Sequence, residues 1–219
     1  MTTALLPDPA RPTGVTVLNK PRHPIVERAL RLSRLYYEGH VINEAPALNH
    51  AMRVAITLVE HEPDASPVMI ASALLQDMPI YAPATVDVDI VLRDSVAEGV
   101  GPIVRGLAIE QDAMMSGKAA RLASRSVMLI MAADRIVALR TLLERARSAP
   151  DQREFWIQRQ RLRGMFEHFR AWYALAEPVL PVSMAIELSG VLRDLEMAAL
   201  GRDAAPREAA PVREAVLSS

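Results

Sequence analysis

No cysteine occurs among the 219 residues, which excludes disulfides, thiolate zinc sites and cysteine nucleophiles and fits a reducing compartment. An uninterrupted apolar run of the roughly 20 residues that a spanning helix needs is also missing, so no membrane segment is expected. The stretch before residue 24 carries Pro7, Pro9, Pro12 and Pro21 and no apolar run of signal-peptide length. It reads as a flexible lead-in, and the cytoplasm is the expected location. Neither sign of charge dominates: 25 Lys and Arg stand against 26 Asp and Glu, a net charge of -1 that gives no electrostatic reason to expect nucleic acid as a partner. Internal repeats and β-hairpin signals are absent too.

What is present suits a packed globule, with 51% hydrophobic and 23% charged residues in a length suited to one domain. The periodicity predicts an all-α, single-domain helical bundle over residues 24–200, between flexible segments at 1–23 and 201–219. Ile25, Ala29, Leu32 and Tyr36 recur at helical spacing after Pro24, and Gly39 ends that helix. A second helix is expected over residues 47–60 and a third from Ser66-Pro67 to Met78, where Pro79 stops it. One or two short helices fall within 85–101 and another within 103–109. Residues 118–147 read as the longest helix, with Leu122, Leu129, Ala133, Ile136 and Leu143 in phase. Residues 154–176 and 182–200 make two more.

Three polar residues fall where polar residues are expensive. His50 faces Val54 and Leu58 one turn and two turns on; Asp77 closes the apolar run that begins at Met69; Asp134 interrupts a run from Val127 to Leu139. A buried unpaired carboxylate costs several kcal/mol, so it is normally paired, neutralised or bound to a metal. One imidazole and two hard oxygen donors on three helices would suit a divalent cation such as manganese, magnesium or iron. Taken alone, local pairing is the commoner explanation: Asp134 with Arg53 or Arg135, Asp77 as a cap or in a local pair, His50 as a hydrogen-bonded core histidine.

The order of these residues carries more. Leu48-Asn49-His50-Ala51-Met52-Arg53, Ala73-Leu74-Leu75-Gln76-Asp77 and Ala133-Asp134-Arg135-Ile136-Val137-Ala138-Leu139 together resemble HD-domain phosphohydrolases. In particular they resemble the hydrolase domain of RelA/SpoT proteins and their small metazoan-type homologues, over roughly residues 23–200. The resemblance implies an HD-type bundle and a manganese-like divalent cation held by His50, Gln76, Asp77 and Asp134. It also implies removal of pyrophosphate from the 3′ side of guanosine tetra- or pentaphosphate.

The chain departs from that pattern where chemistry is done. Gln76 replaces the histidine of the His-Asp pair, which weakens or abolishes the metal site. The acidic pair that the family uses to activate water falls at Ile80 and Tyr81, neither of which is a base at neutral pH. Asp87 and Asp89 on the following loop are the available substitutes. The family's base-contacting arginine, its lysine and its asparagine fall at Ile42, Met131 and Ala138. Three functions follow as expectations: a catalytically impaired domain that binds a guanine nucleotide or a protein partner; an active metal-dependent pyrophosphohydrolase using His50, Gln76, Asp77 and Asp134; or a helical interaction module. The HD resemblance predicts that the four side chains converge in one cleft, and Asp134→Asn is expected to be tolerated or mildly stabilising if the site is empty and destabilising if a metal is bound.

Overall fold

A computed structural model describes residues 22–42 and 44–201. The segments expected to be flexible, 1–23 and 201–219, lie outside the described residues apart from Arg22, His23 and Gly201. The fold is all-α. Helix α1 (Pro24–Tyr36) starts where the His23 ring accepts from the Ile25 N–H at 3.2 Å and proline occupies the first turn. It buries Val26, Ala29, Leu30 and Ser33. Gly39, at φ 75°, takes the left-handed conformation that closes this end.

A small antiparallel pair, β1 (Val41–Ile42) and β2 (Ala45–Pro46), follows, with Val41 opposite Pro46 and Ile42 opposite Ala45. No hairpin was expected here, because strands of two residues leave no alternation to read. Helix α2 (Ala47–His61) then presents Ala51, Val54, Ala55 and Leu58 to the core. Helix α3 (Pro67–Leu74) begins with Ser66, whose hydroxyl accepts from the Met69 N–H at 3.2 Å, and is buried throughout Ile70, Ala71, Ser72, Ala73 and Leu74.

The third helix was expected to reach Met78, but it ends four residues earlier. In a continuous helix Pro79 would have no N–H to return to the Leu75 carbonyl, and its ring would collide with it. The chain therefore turns at residues 75–77, with the Met78 N–H bonded to the Leu75 carbonyl at 3.0 Å, and restarts as α4 (Met78–Tyr81) with proline in the first turn. That turn carries Gln76 and Asp77. Helix α5 (Val88–Ser95) is capped by Asp87, and α6 (Val100–Met115) runs further in both directions than its sequence pattern indicated.

The longest helix, α7 (Arg125–Ser148), starts seven residues later than expected. The Lys118 N–H is spent on the Ala113 carbonyl at 2.9 Å, Gly117 is left-handed at φ 69°, and Ser124 caps the new start. Leu122, although in phase, lies in the connection and is exposed. The segment 154–176 is also not one helix but three, α8 (Gln152–Ile157), α9 (Gln160–Gly164) and α10 (Phe166–Ala176). At the first break the Arg159 side chain donates to the Phe155 carbonyl at 3.1 Å, the acceptor that its own backbone N–H would take in an unbroken helix. Gly164, a poor interior helix residue, marks the second. A short 3₁₀ turn (Glu177–Val179) leads to α11 (Val182–Ala199).

Helix α7 is the spine. It packs against α2 on one side and α11 on another, with α6 and α3 completing its surroundings. Met128, Leu129, Ile130, Ala132, Ala133 and Ile136 are fully enclosed, and each such large aliphatic contributes about 1.5–3 kcal/mol by leaving water. At the α6–α7 crossing Gly106 admits the Val127 side chain so closely that a Cβ would sit 2.7 Å from Cγ2. Among the described residues no helix is long and apolar enough to cross a membrane.

Candidate functional site

Helix α2, the turn after α3 and the middle of α7 meet at one polar cluster inside this apolar frame. Asp134 is its hub. The His50 Nε2–H donates to Asp134 Oδ1 at 2.8 Å, and the Gln76 Nε2–H donates to the same oxygen at 3.0 Å. Burial works against a charged His50, but the hydrogen bond and charge of Asp134, assisted by Asp77, outweigh it and raise its pKa. The imidazolium is therefore favoured, as a partner for a carboxylate.

Asp77 lies beside this pair with Oδ2 buried and without a hydrogen-bond partner. Burial first, and the Asp134 charge second, push its carboxyl from 3.8 up to about 6, against the pull of His50 and Gln76. Its backbone N–H is held by the Tyr37 hydroxyl at 3.1 Å. Tyr37 is itself buried, and that burial together with the Asp77 charge raises its hydroxyl well above the usual range. Tyr81 stands edge-on to Tyr37 and stacks on His40, with ring centroids 5.3 and 4.2 Å away. It too is raised, by burial and by Asp77, so it stays protonated.

Of the site residues read from the sequence, His50 and Gln76 meet on Asp134, with Asp77 beside them. Gln76, Asp77 and Asp134 line one cavity of about 490 Å³, whereas His50 bonds Asp134 without forming part of the wall. Neither local ion pair proposed for Asp134 is present, since the Arg53 guanidinium bonds the Thr141 hydroxyl at 3.1 Å and that of Arg135 lies 3.5 Å over the Trp172 ring. Ile80 contributes a carbon wall to the cavity. The two candidate replacements for an acidic pair are engaged elsewhere: Asp87 accepts from the Ile90 N–H at the start of α5, and Asp89 pairs with Arg105.

In this arrangement three of the four donors are turned toward one another: the Gln76 N–H and His50 Nε2 both meet Asp134 Oδ1, and the buried Asp77 Oδ2 is left unpartnered and able to ligate. Among the described residues no group of three or more His, Asp or Glu is disposed to hold a metal ion.

Of the rest of the cavity, the resemblance had marked only Met131 and Ala138, at the family's lysine and asparagine positions. The cavity wall is dominated by Leu107, Met114, Met115, Met131, Leu139 and Phe169, and Arg135 belongs to it as well. Arg135 is 5% exposed, and burial lowers its guanidinium to about 9 despite the charges of Asp134 and Glu110. Only its position next to Asp134 within an apolar run could have flagged it. Met114 and Met115 carried no signal, because methionine fills gaps in any core. Compared with known proteins, the chain matches no family model and no curated sequence.

Proposed function

We propose that this chain is an HD-type domain of the RelA/SpoT hydrolase kind that has lost hydrolysis and acts by binding a ligand in the cavity beside Asp134. The observation that carries this reading is the shared acceptor: His50 and Gln76 both donate to Asp134 Oδ1, so the protein satisfies with its own N–H groups the oxygen that a metal would need. A metal-bound hydroxide and a positioned base are the two usual means of making water nucleophilic, and general base catalysis alone is worth about two to four powers of ten. Here the first would rest on Asp77 Oδ2, because His50, Gln76 and Asp134 Oδ1 are engaged with one another. The second has isoleucine and a protonated tyrosine in its place.

The cavity itself supports ligand binding, since it combines a preformed apolar wall with a few buried polar groups. Of the partners that the resemblance implies, a guanine polyphosphate fits less well. Its phosphates would meet Asp77, Asp112 and Asp134, with Arg135 the single cation among the described residues of the wall. The test is incubation of the purified protein with guanosine tetraphosphate and excess manganese, measuring pyrophosphate. No release above a buffer control is expected, and robust turnover would overturn the proposal in favour of a working hydrolase.

A further inference from the structure

Arg135 projects from α7 into surroundings that give its charge almost nothing. The guanidinium carbon lies 3.5 Å from the centroid of Trp172, Nη2 is 4.0 Å from the Met114 sulfur, and Nη1 is buried with no hydrogen-bond partner. A cation–π contact offsets part of the cost of burying a cation, but it leaves the N–H donors unused. The two carboxylates whose charge Arg135 feels, Asp134 and Glu110, are committed to other donors. Asp134 accepts from His50 and Gln76, and Glu110 is bound by Arg121 at 2.6 Å. Asp112, at the cavity edge, is exposed and paired with Lys118 at 3.4 Å, and Asp77, the remaining acid of the cavity, forms no ion pair with Arg135. Among the described residues no acid pairs with this guanidinium.

The same arginine, together with Met114, lines the cavity of about 490 Å³, whose remaining wall is largely aliphatic, thioether and aromatic. That size is in the range of small-molecule sites, and an apolar wall of this kind selects for hydrocarbon or aryl groups. We infer that the cavity takes a small apolar monocarboxylate, its hydrocarbon or aryl body against Leu107, Met115, Met131 and Phe169 and its carboxylate at the guanidinium of Arg135. One carboxylate supplies the charged acceptor that no described acid gives this guanidinium, in a charge-assisted hydrogen bond, whereas a polyphosphate brings several charges and the wall offers one cation. Methionine-rich walls adapt to the shape of the apolar body, so the carboxylate and the chain length are the recognised features.

The inference rests on the reading that the chain binds without turning over, and the experiment separates the two. Three eight-carbon probes, octanoate, octylamine and octanol, are titrated into the full chain by calorimetry and by tryptophan emission. Trp172, one of two tryptophans, reports directly because its ring carries the guanidinium. Octanoate is expected to saturate one site and to bind at least about tenfold more tightly than either other probe, the usual advantage of a charge-assisted hydrogen bond. Arg135→Met should erase that preference while octanol still binds. Equal affinities, a preference for octylamine, or no saturable octanoate binding would overturn the inference, and the three-probe comparison on the unmodified chain decides this even if the variant fails to fold. Guanosine tetraphosphate is titrated alongside. Its binding without displacement by octanoate would sink the carboxylate assignment and leave the non-catalytic reading standing, whereas pyrophosphate release would sink the latter whatever octanoate does.

Discussion

Asp77→Asn should make the protein more stable at neutral pH, although it removes a charge from the centre of the candidate site. A carboxyl raised from 3.8 to about 6 by burial and by the Asp134 charge holds its proton more tightly in the folded than in the unfolded chain. Between those two values the folded state binds more protons, so stability falls as pH rises, and the full penalty is present above about pH 6. A rise of that size corresponds to about 3 kcal/mol. Asparagine keeps the shape and the backbone N–H bonded to Tyr37, and no cap is lost because the Asp77 side chain makes no capping bond to α4. Its amide still has to find partners, which reduces the expected net gain to about 1–3 kcal/mol at pH 7.5. At pH 4.5 about two thirds of that penalty should be gone, since the carboxyl is then neutral in the fold while the unfolded one is still largely ionised, and it vanishes only below 3.8. His50, raised by its bond to Asp134, adds to the same slope in both proteins, because its stabilising charge is lost as pH rises through its folded value. Urea denaturation of both proteins at the two pH values measures the difference. A variant less stable than the parent at pH 7.5 and not at pH 4.5 would refute the reasoning, and is what a cation bound by this carboxylate would produce.

Other perturbations follow from the same geometry. Asp134→Asn, which the sequence pattern suggested would be tolerated in an empty site, should instead destabilise by about 1–3 kcal/mol, because His50 and Gln76 both lose a charged acceptor; thermal unfolding would reveal it. Gly106→Ala forces a methyl against the β-branched Val127 and should cost about 1–3 kcal/mol, most of it recovered in a double variant with Val127→Ala, as a denaturation cycle would measure. Ile80→Glu with Tyr81→Asp should not restore pyrophosphate release from guanosine tetraphosphate in manganese. Adding Gln76→His is the step expected to allow any, since it returns an imidazole to the hub.

The bundle was legible because apolar residues recur at helical spacing from Ile25 onward, and the cap at Ser66 names its helix. Failures occur where a side chain or a proline competes with the backbone. Arg159 takes the carbonyl of Phe155, Pro79 refuses the one of Leu75, and neither event alters the hydrophobic period. At the site, His50 and Asp134 stood out because polar groups in apolar runs must find partners, and they found each other, whereas Gln76 was marked only by the resemblance. Tyr37 did not stand out, since a tyrosine at a helix end looks the same whether or not its hydroxyl holds a distant backbone N–H. Arg135 was hidden for the opposite reason: next to an aspartate it suggests an ion pair, and only the fold reveals that it turns to a tryptophan instead.

The position of α7 also has a consequence for how the chain is made. Its two flanks are covered by α2, which precedes it by more than sixty residues, and by α11, the last described helix. During synthesis α2 is ready to receive it, but Met184, Leu188, Leu192 and Leu195, which bury the other flank, emerge about fifty residues after the middle of α7. In that interval a helix buried on nearly every side stands with one flank in water. The nascent chain is then most exposed to capture by chaperones, and stalling translation within α10 should yield a protease-sensitive intermediate that resists only once α11 has left the ribosome.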